Sequence, residues 1–411
     1  MQFKTLTIVI LFIVFLYHML LKLIEWRSAS NPIPLNVMDV YDPDTYKKWR
    51  AYHAEKCRLG ALSAIAGFIV DLVLILPNLY AAFARLFPDT PFLQMLAVLL
   101  LSAAAGLANL PFEYYDTMGI EEKYGFNRST KKTFWLDQLK GLLISLVLMT
   151  AVGSLLLGAH TWLGDWLIVV FAGAMTLLIL GISFLSPFFS KIFNKFTPLE
   201  DGELKEKLTG LLEKHGFKVR AIQVMDASRR STKSNAYFTG FGKMKTIVLY
   251  DTLVEAMTAD EICAVFAHEL GHGLHKDTLK KQILTFVQML ILGTLAWLIL
   301  RTPEIFADFG FSGVNYGFAL FLIMSVEFAL IAPLFGLLVN WLSRRTEYRA
   351  DAQAVQEGYG EALISALKKL TRENFGELAP SPLLVKLQYS HPTLSQRITA
   401  IEKIGGKASW Q

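Results

Sequence analysis

Seven long apolar runs, at about 5–21, 59–83, 92–110, 141–160, 166–190, 282–300 and 311–342, constrain this 411-residue chain more than any other feature. Runs of this length suit helices crossing the ~30 Å hydrocarbon core of a bilayer. The composition agrees: 53% of residues are apolar and 12% aromatic, which excludes an ordinary soluble enzyme of two or three domains. The first run, Thr5 to Leu21 before Lys22, reads as a span and not as a cleaved signal peptide. It is long, and Arg27 lies beside the only small-residue stretch, Ser28-Ala29-Ser30, that could be cut.

Lysine and arginine fix an orientation. Segments 25–58, 111–134, 191–281 and 343–411 are rich in them, whereas 86–91, 161–165 and 301–310 are nearly bare, so the N-terminus is expected outside and the C-terminus inside. The net charge of +5 follows from this asymmetry and does not point to a nucleic-acid partner. Cys57 and Cys263 are too few for a disulfide framework or a cysteine-rich metal site, and both read as inert packing residues. Two spans carry carboxylates, Asp71 and Glu327, which in hydrocarbon must face protein or water. They argue for a wet cavity, with either a hydrogen-bonded role fixing helix register or a substrate contact. Asn78, after Pro77, and Asn340 are equally open, and no inverted repeat of the transporter kind is visible.

Chemistry enters at Ala264-Val-Phe-Ala-His-Glu-Leu-Gly-His-Gly-Leu-His-Lys-Asp277, which contains His268-Glu269-x-x-His272. Thr258 and Glu261 form a capping box that predicts a helix, and residues four apart on a helix share a face. Both histidines can then present a ring nitrogen to one zinc ion, while Glu269 stands close enough to take a proton from metal-activated water. Gly271 and Gly273 weaken the helix but let a backbone or a substrate approach the metal face. His275 reads as a polar residue at the water boundary and not as a fourth ligand.

The segment around this motif reads as a small α/β unit. A helix is expected over about Leu199–Lys214, stopped by Gly216, then a strand Val219–Met225 and a hairpin of Ser234–Thr239 with Lys245–Tyr250. Asn235-Ala236-Tyr237-Phe238 is the candidate edge on which an extended peptide would pair by main-chain hydrogen bonds. Beyond the last span, Glu347 and Asp351 lie one helical turn apart. A site with two histidines needs a third protein ligand, which Glu347 on a second helix can supply, with Asp351 accepting the free N–H of a ligand histidine. Taken alone, the same helix reads as a solvated one in which Glu347 pairs with Arg344 or Arg345.

With these residues and Ser390-His-Pro-Thr-Leu-Ser-Gln-Arg397 in view, the chain resembles the integral-membrane CaaX prenyl endopeptidase family over nearly its whole length. The likeness takes in Glu121-Glu-Lys-Tyr-Gly-Phe-Asn127, Phe196-Thr-Pro-Leu-Glu-Asp-Gly-Glu-Leu204 and Ser234-Asn-Ala-Tyr-Phe-Thr-Gly240. It implies a mainly α protein of seven spans around a water-filled chamber, with a small α/β zinc protease domain on the cytoplasmic side. It implies removal of the last three residues of a prenylated CaaX protein or peptide. By position it implies one zinc ion on His268, His272 and Glu347, Glu269 as base, Asp351 behind the ligands, Asn235 in the substrate strand, and His391 and Arg397 near the reacting carbonyl.

The expected organisation is five spans in 1–190, an α/β segment carrying the motif in 191–281, two spans in 282–342, and a helical segment with the third ligand in 343–411. The stretch Lys403 to Gln411 departs from the family in lacking a dilysine-type retention signal. The expected address is therefore a cell membrane, with the endoplasmic reticulum as alternative. Three rivals remain. A site-2-type intramembrane protease would bury the motif in an apolar helix, yet here His275, Lys276, Asp277, Lys280 and Lys281 follow it. A quality-control membrane protease would share the chemistry with fewer spans. A seven-span receptor or transporter would leave the metal motif unexplained.

Overall fold

The computed structural model describes residues 2–239, 244–275 and 277–406, with side chains except those of 165, 182–189, 219, 238, 239, 244, 245, 278, 279, 328 and 329. Helices α1 (Gln2–Ser28), α2 (Pro43–Ile75), α3 (Pro91–Gly106), α4 (Lys131–Leu163) and α5 (Leu167–Phe193) take up the first five apolar runs. Their starts are written in the sequence. Asp42 accepts from the Asp44 and Thr45 N–H groups ahead of α2, and the side chains of Thr90 and Thr130 cap α3 and α4.

The second run is not one helix through residue 83. α2 starts well before the apolar stretch, at Pro43, and is followed by Pro77, which has no N–H to continue the ladder. Asn78 then takes a left-handed conformation, φ 59°, and a new short helix covers Leu79–Ala84. Lys4 Nζ donates to Asn78 Oδ1 at 2.8 Å, so the break is tied to the start of α1.

α6 (Glu203–Lys214), α7 (Ala259–Leu274) and a four-stranded sheet form the α/β unit. The strands are β1 (Phe196–Pro198), β2 (Lys218–Met225), β3 (Ala236–Thr239) and β4 (Met244–Tyr250), in the order β1-β2-β4-β3. The expected hairpin exists: β3 runs antiparallel to β4, with Ala236 opposite Leu249 and Thr239 opposite Thr246, and β3 lies at the sheet edge. Its connecting residues 240–243 lie outside the described residues. Two features differ from expectation. β1 pairs with β2, so α6 begins at Glu203 instead of Leu199, and β2 joins β4 in parallel.

α8 (Asp277–Leu300) returns towards the membrane and packs along α5. An added Cβ at Gly293 of α8 would lie 2.7 Å from the Ile168 carbonyl of α5, so only glycine permits this approach. The last apolar run begins later than expected, as α9 (Tyr316–Val326), because Asn315 caps it. A π-helical turn, Glu327–Ile331, leads into α10 (Ala332–Gln356), followed by α11 (Gly360–Glu373), α12 (Pro382–Gln388) and α13 (Leu394–Ile404). α10 does not stop at residue 342: the final apolar segment and the helix bearing Glu347 are one continuous rod.

Among the described residues, five helical segments are long and apolar enough to cross a membrane: Gln2–Ser28, Pro43–Ile75, Pro91–Glu121, in which α3 runs on through short helical turns, Lys131–Leu163 and Lys280–Leu300. Leu167–Gly181 and Tyr316–Val326 are shorter apolar helical stretches at the two remaining places. One apolar core, including Met95, Leu156, Ala296 and Phe318, joins α3, α4, α8 and α9. A second joins α6, α7, α11 and α13 with β2 and β4, and Val37, Val40 and Tyr41 from the connection after α1, with Trp49 near the start of α2, complete it. The Tyr41 hydroxyl lies 2.9 Å from the carbonyls of both Thr371 and Gly376, and Trp49 Nε1 donates to the Phe375 carbonyl at 3.0 Å. Cys263 is wholly buried in this core, and Cys57 is buried as well.

Candidate metal centre

α7 opens on the capping box read from the sequence: Thr258 Oγ1 accepts from the Glu261 N–H, and the Glu261 carboxylate accepts from the Thr258 N–H. The opposite oxygen of Glu261 takes the Ser365 hydroxyl at 2.6 Å, and Lys369 adds an ion pair, which fixes α7 against α11. At the other end of α7, His268 and His272 stand with ring centroids 5.0 Å apart and planes at 90°.

α10 crosses α7 at Gly271. A Cβ there would lie 2.8 Å from Ala350 Cα, so the backbones meet where the sequence offers no side chain. This approach brings Glu347 to the histidines. Its Oε2 is 3.4 Å from His268 Nε2 and its Oε1 is 3.3 Å from His272 Nε2. Ligand atoms of His268, His272 and Glu347 all lie within 4.8 Å of one another. Glu347 is not paired with its neighbours: Arg344 donates to the carbonyls of Val385 and Tyr389, and Arg345 lies over the Trp341 ring.

The ring tautomers follow from what holds the other nitrogens. Asp351 is fully buried and receives two guanidinium bonds from Arg397, Nε to Oδ2 at 3.0 Å and Nη2 to Oδ1 at 2.6 Å. It is an acceptor only, so His268 Nδ1–H donates to its Oδ1 at 2.8 Å and leaves Nε2 bare towards Glu347. Burial raises the Asp351 carboxyl, but the bonds from His268 and Arg397 outweigh it and hold it below the usual range. Burial also pushes the Glu347 carboxyl up, and the adjacent imidazoles of His268 and His272 pull it well below the ordinary value.

A second acceptor was missed in the sequence. Asp277, only 3% exposed in the first turn of α8, takes His272 Nδ1 at 3.3 Å and is held by Arg349 at 3.0 Å and Lys280 at 3.3 Å. Two histidines that are to offer Nε2 to one ion need two acceptors for their Nδ1 protons, and that count is the signal that points to it. His275 is exposed at the C-cap of α7, outside the cluster.

The remaining expected residues gather on one side of the centre. A cavity of about 130 Å³ is lined by Asn235, Ala236, His268, Glu269, His391 and Arg397 together with Leu363, Leu367 and Leu370. His391 Nε2 is 3.4 Å from Glu347 Oε1, and the Ser390 hydroxyl is 2.8 Å from His391 Nδ1. Arg344, one turn before Glu347 on α10, anchors this loop through the Tyr389 carbonyl at 2.6 Å. Tyr237 lies in β3 opposite Val248, and Phe238 opposite Ile247, the latter placed by its backbone alone. Among the buried polar atoms, Glu347 Oε2 has no hydrogen-bond partner. Two bare imidazole nitrogens converging on the two oxygens of a buried carboxylate, one of them unpartnered, suit a divalent cation of zinc's preferences.

In the membrane half, Glu327 accepts from Gln288 Nε2, and Asp71 lines a cavity of about 380 Å³ with Ser63, Tyr80, Ser102 and Asn109. Asn340 Nδ2 donates to the Leu387 carbonyl at 3.2 Å.

Two family models match the chain, one described as CAAX prenyl protease N-terminal, five membrane helices, over residues 23–195, the other as Peptidase family M48, over residues 198–405. CAAX prenyl protease 1 of Saccharomyces cerevisiae is 33% identical, covering 93% of this chain and 91% of that protein. The CAAX prenyl protease 1 homolog of Arabidopsis thaliana is 32% identical over 95% of each. The crystal structure of S. mikatae Ste24p matches with a TM-score of 0.91 at 29% identity, covering 98% of this chain and 99% of that one.

Proposed function

The chain belongs to peptidase family M48 and carries the N-terminal domain of the CAAX prenyl proteases, and from that premise we propose that it is a zinc metalloendopeptidase removing the three terminal residues of prenylated CaaX proteins or peptides. The observation that carries this reading is the convergence of His268 Nε2 and His272 Nε2 on the buried carboxylate of Glu347, whose Oε2 has no hydrogen-bond partner. Zinc held by these three residues supplies, when bound, a Lewis acid that acidifies water and polarises a carbonyl.

The protein's own groups do the rest. Asp351 and Asp277 keep the Nδ1 protons of the two histidines, so that both Nε2 lone pairs face inward. Glu269, next to His268 and facing the cavity, takes the proton of the attacking water and returns it to the leaving amine. His391 donates to the carbonyl oxygen as negative charge develops there, and Arg397 adds a positive field while fixing Asp351. β3 offers its free edge, Asn235 to Phe238, so that a substrate main chain pairs beside the metal.

The seven apolar helical segments are read as spans enclosing a chamber in which the cavity beside Asp71 is one recess. The lysine and arginine distribution supports a catalytic unit on the cytoplasmic side of a cell membrane, or of the endoplasmic reticulum.

Mass spectrometry of a farnesylated CaaX peptide after incubation with the purified protein tests the reading. The expected product lacks the last three residues. Glu269→Ala abolishes the product and keeps the zinc, because its carboxylate moves protons and holds no metal. An intact peptide with zinc-loaded wild type overturns the assignment.

A further inference from the structure

Two stretches have no part in this chemistry: Glu121-Glu-Lys-Tyr-Gly-Phe-Asn127, between α3 and α4, and Arg230–Ser234, which leads into β3. The fold lays one along the other. The Thr232 N–H donates to the Phe126 carbonyl at 3.1 Å, the Arg128 N–H donates to the Arg230 carbonyl at 3.0 Å, and Asn127 bridges Ser231.

Side chains pin both ends of this strap. Arg230 Nε donates to Asp137 Oδ2 of α4 at 2.8 Å, and its Nη1 donates to Asn194 Oδ1 at 3.0 Å. Lys233 Nζ lies 2.9 Å from Glu121 Oε2 and 3.2 Å from the Tyr52 hydroxyl, over the rings of Phe126 and Tyr52. Glu121 is held in turn by Lys56 at 3.0 Å and by the Tyr52 hydroxyl at 2.6 Å. The next residue is clamped from the other side: the Ser234 N–H donates to Asn374 Oδ1 at 3.1 Å, and Asn374 Nδ2 donates back to the Ser234 carbonyl at 3.2 Å. Phe375 follows at φ 50° and packs edge-on against Tyr52 and Phe126.

We propose that Glu121 and Lys233, with Arg230 and Asp137, are positioning residues that set the register and height of the substrate-pairing edge β3 over the metal centre. The proposal rests on the reading of β3 as the substrate strand. A four-residue edge strand has a partner on one side only, so β4 and the anchored residues before it must fix its place. The anchors Tyr52, Lys56, Asp137 and Glu121 come from α2, α4 and the connection after α3, so the membrane half, together with Asn374 after α11, frames the substrate strand.

Lys233→Met is the informative variant, because Glu121 keeps Lys56 and Tyr52 and the local fold retains its partners. Misaligned main-chain pairing weakens substrate and transition state alike. KM for the farnesylated peptide should therefore rise about threefold to tenfold, the scale of one or two hydrogen bonds, with kcat within about twofold and zinc content unchanged. Lys233→Arg should restore KM, and Glu121→Gln added to Lys233→Met should cost less than the sum of the two. A KM unchanged in Lys233→Met, or a loss confined to kcat or to zinc content, overturns positioning in favour of a merely structural role. A wild-type chain that leaves the peptide intact overturns the functional reading, and this proposal with it.

Discussion

His268, Glu269, His272, Glu347 and Asp351 are legible in the sequence because their partners recur at helical spacing, four residues apart on each of two helices. Asp277 is not, because its approach to His272 depends on the turn at His275 that ends one helix and starts the next, and no periodicity encodes a turn's direction. Its place predicts a measurable role. Asp277→Ala should weaken zinc retention about 10–100-fold, the usual cost of losing a ligand's outer partner. It also leaves Arg349 and Lys280 without their shared carboxylate. Chelator titration of purified protein, with bound zinc measured directly, checks this, and wild-type retention would remove Asp277 from the centre. His391 and Arg397 follow only from the family pattern, since a histidine before proline in a loop carries no geometric signal of its own.

Between elements, the contact that builds the site is α7 against α10 at Gly271. Helix propensity alone would favour alanine there by about 1 kcal/mol. The crossing says otherwise, because a Cβ would meet Ala350 Cα at 2.8 Å and Gln353 Cβ at 3.1 Å. Backbone cannot yield as a side-chain tip does, and overpacking of this kind costs about 1–3 kcal/mol. Gly271→Ala should therefore lower both thermal stability and zinc occupancy, since parting the helices draws Glu347 away from the histidines. A variant more stable than wild type with full zinc would mean that the helices do not meet there. The hairpin and the capping box were readable, being local. β1 was not: it has three residues, ends in proline, and exists only because β2 lies beside it. The parallel pairing of β2 with β4 is likewise set by packing and not by adjacent sequence.

For the molecule as a whole, apolar run length delivered the membrane character, but not the fact that the connection after α1 and the start of α2 complete the catalytic core. Val37, Val40, Tyr41 and Trp49 are buried among residues of α6, α7 and α11, far along the chain. Trp49→Ala should destabilise the catalytic unit by about 3–5 kcal/mol, as large-to-small changes in a packed core do. Residues 198–405 expressed alone should be protease-sensitive, and co-expression of residues 1–195 should protect them. Equal protease resistance of the isolated piece would show that its core closes without the N-terminal part. The continuity of α10 has a further reach. A stiff rod that begins among apolar side chains and carries Glu347 on its far half acts as a lever, and a bilayer too thin or too thick for an apolar helix is met by tilting it. The metal centre is thereby exposed to the thickness of the lipid around it: turnover in vesicles of graded acyl length should peak at one thickness and fall on both sides.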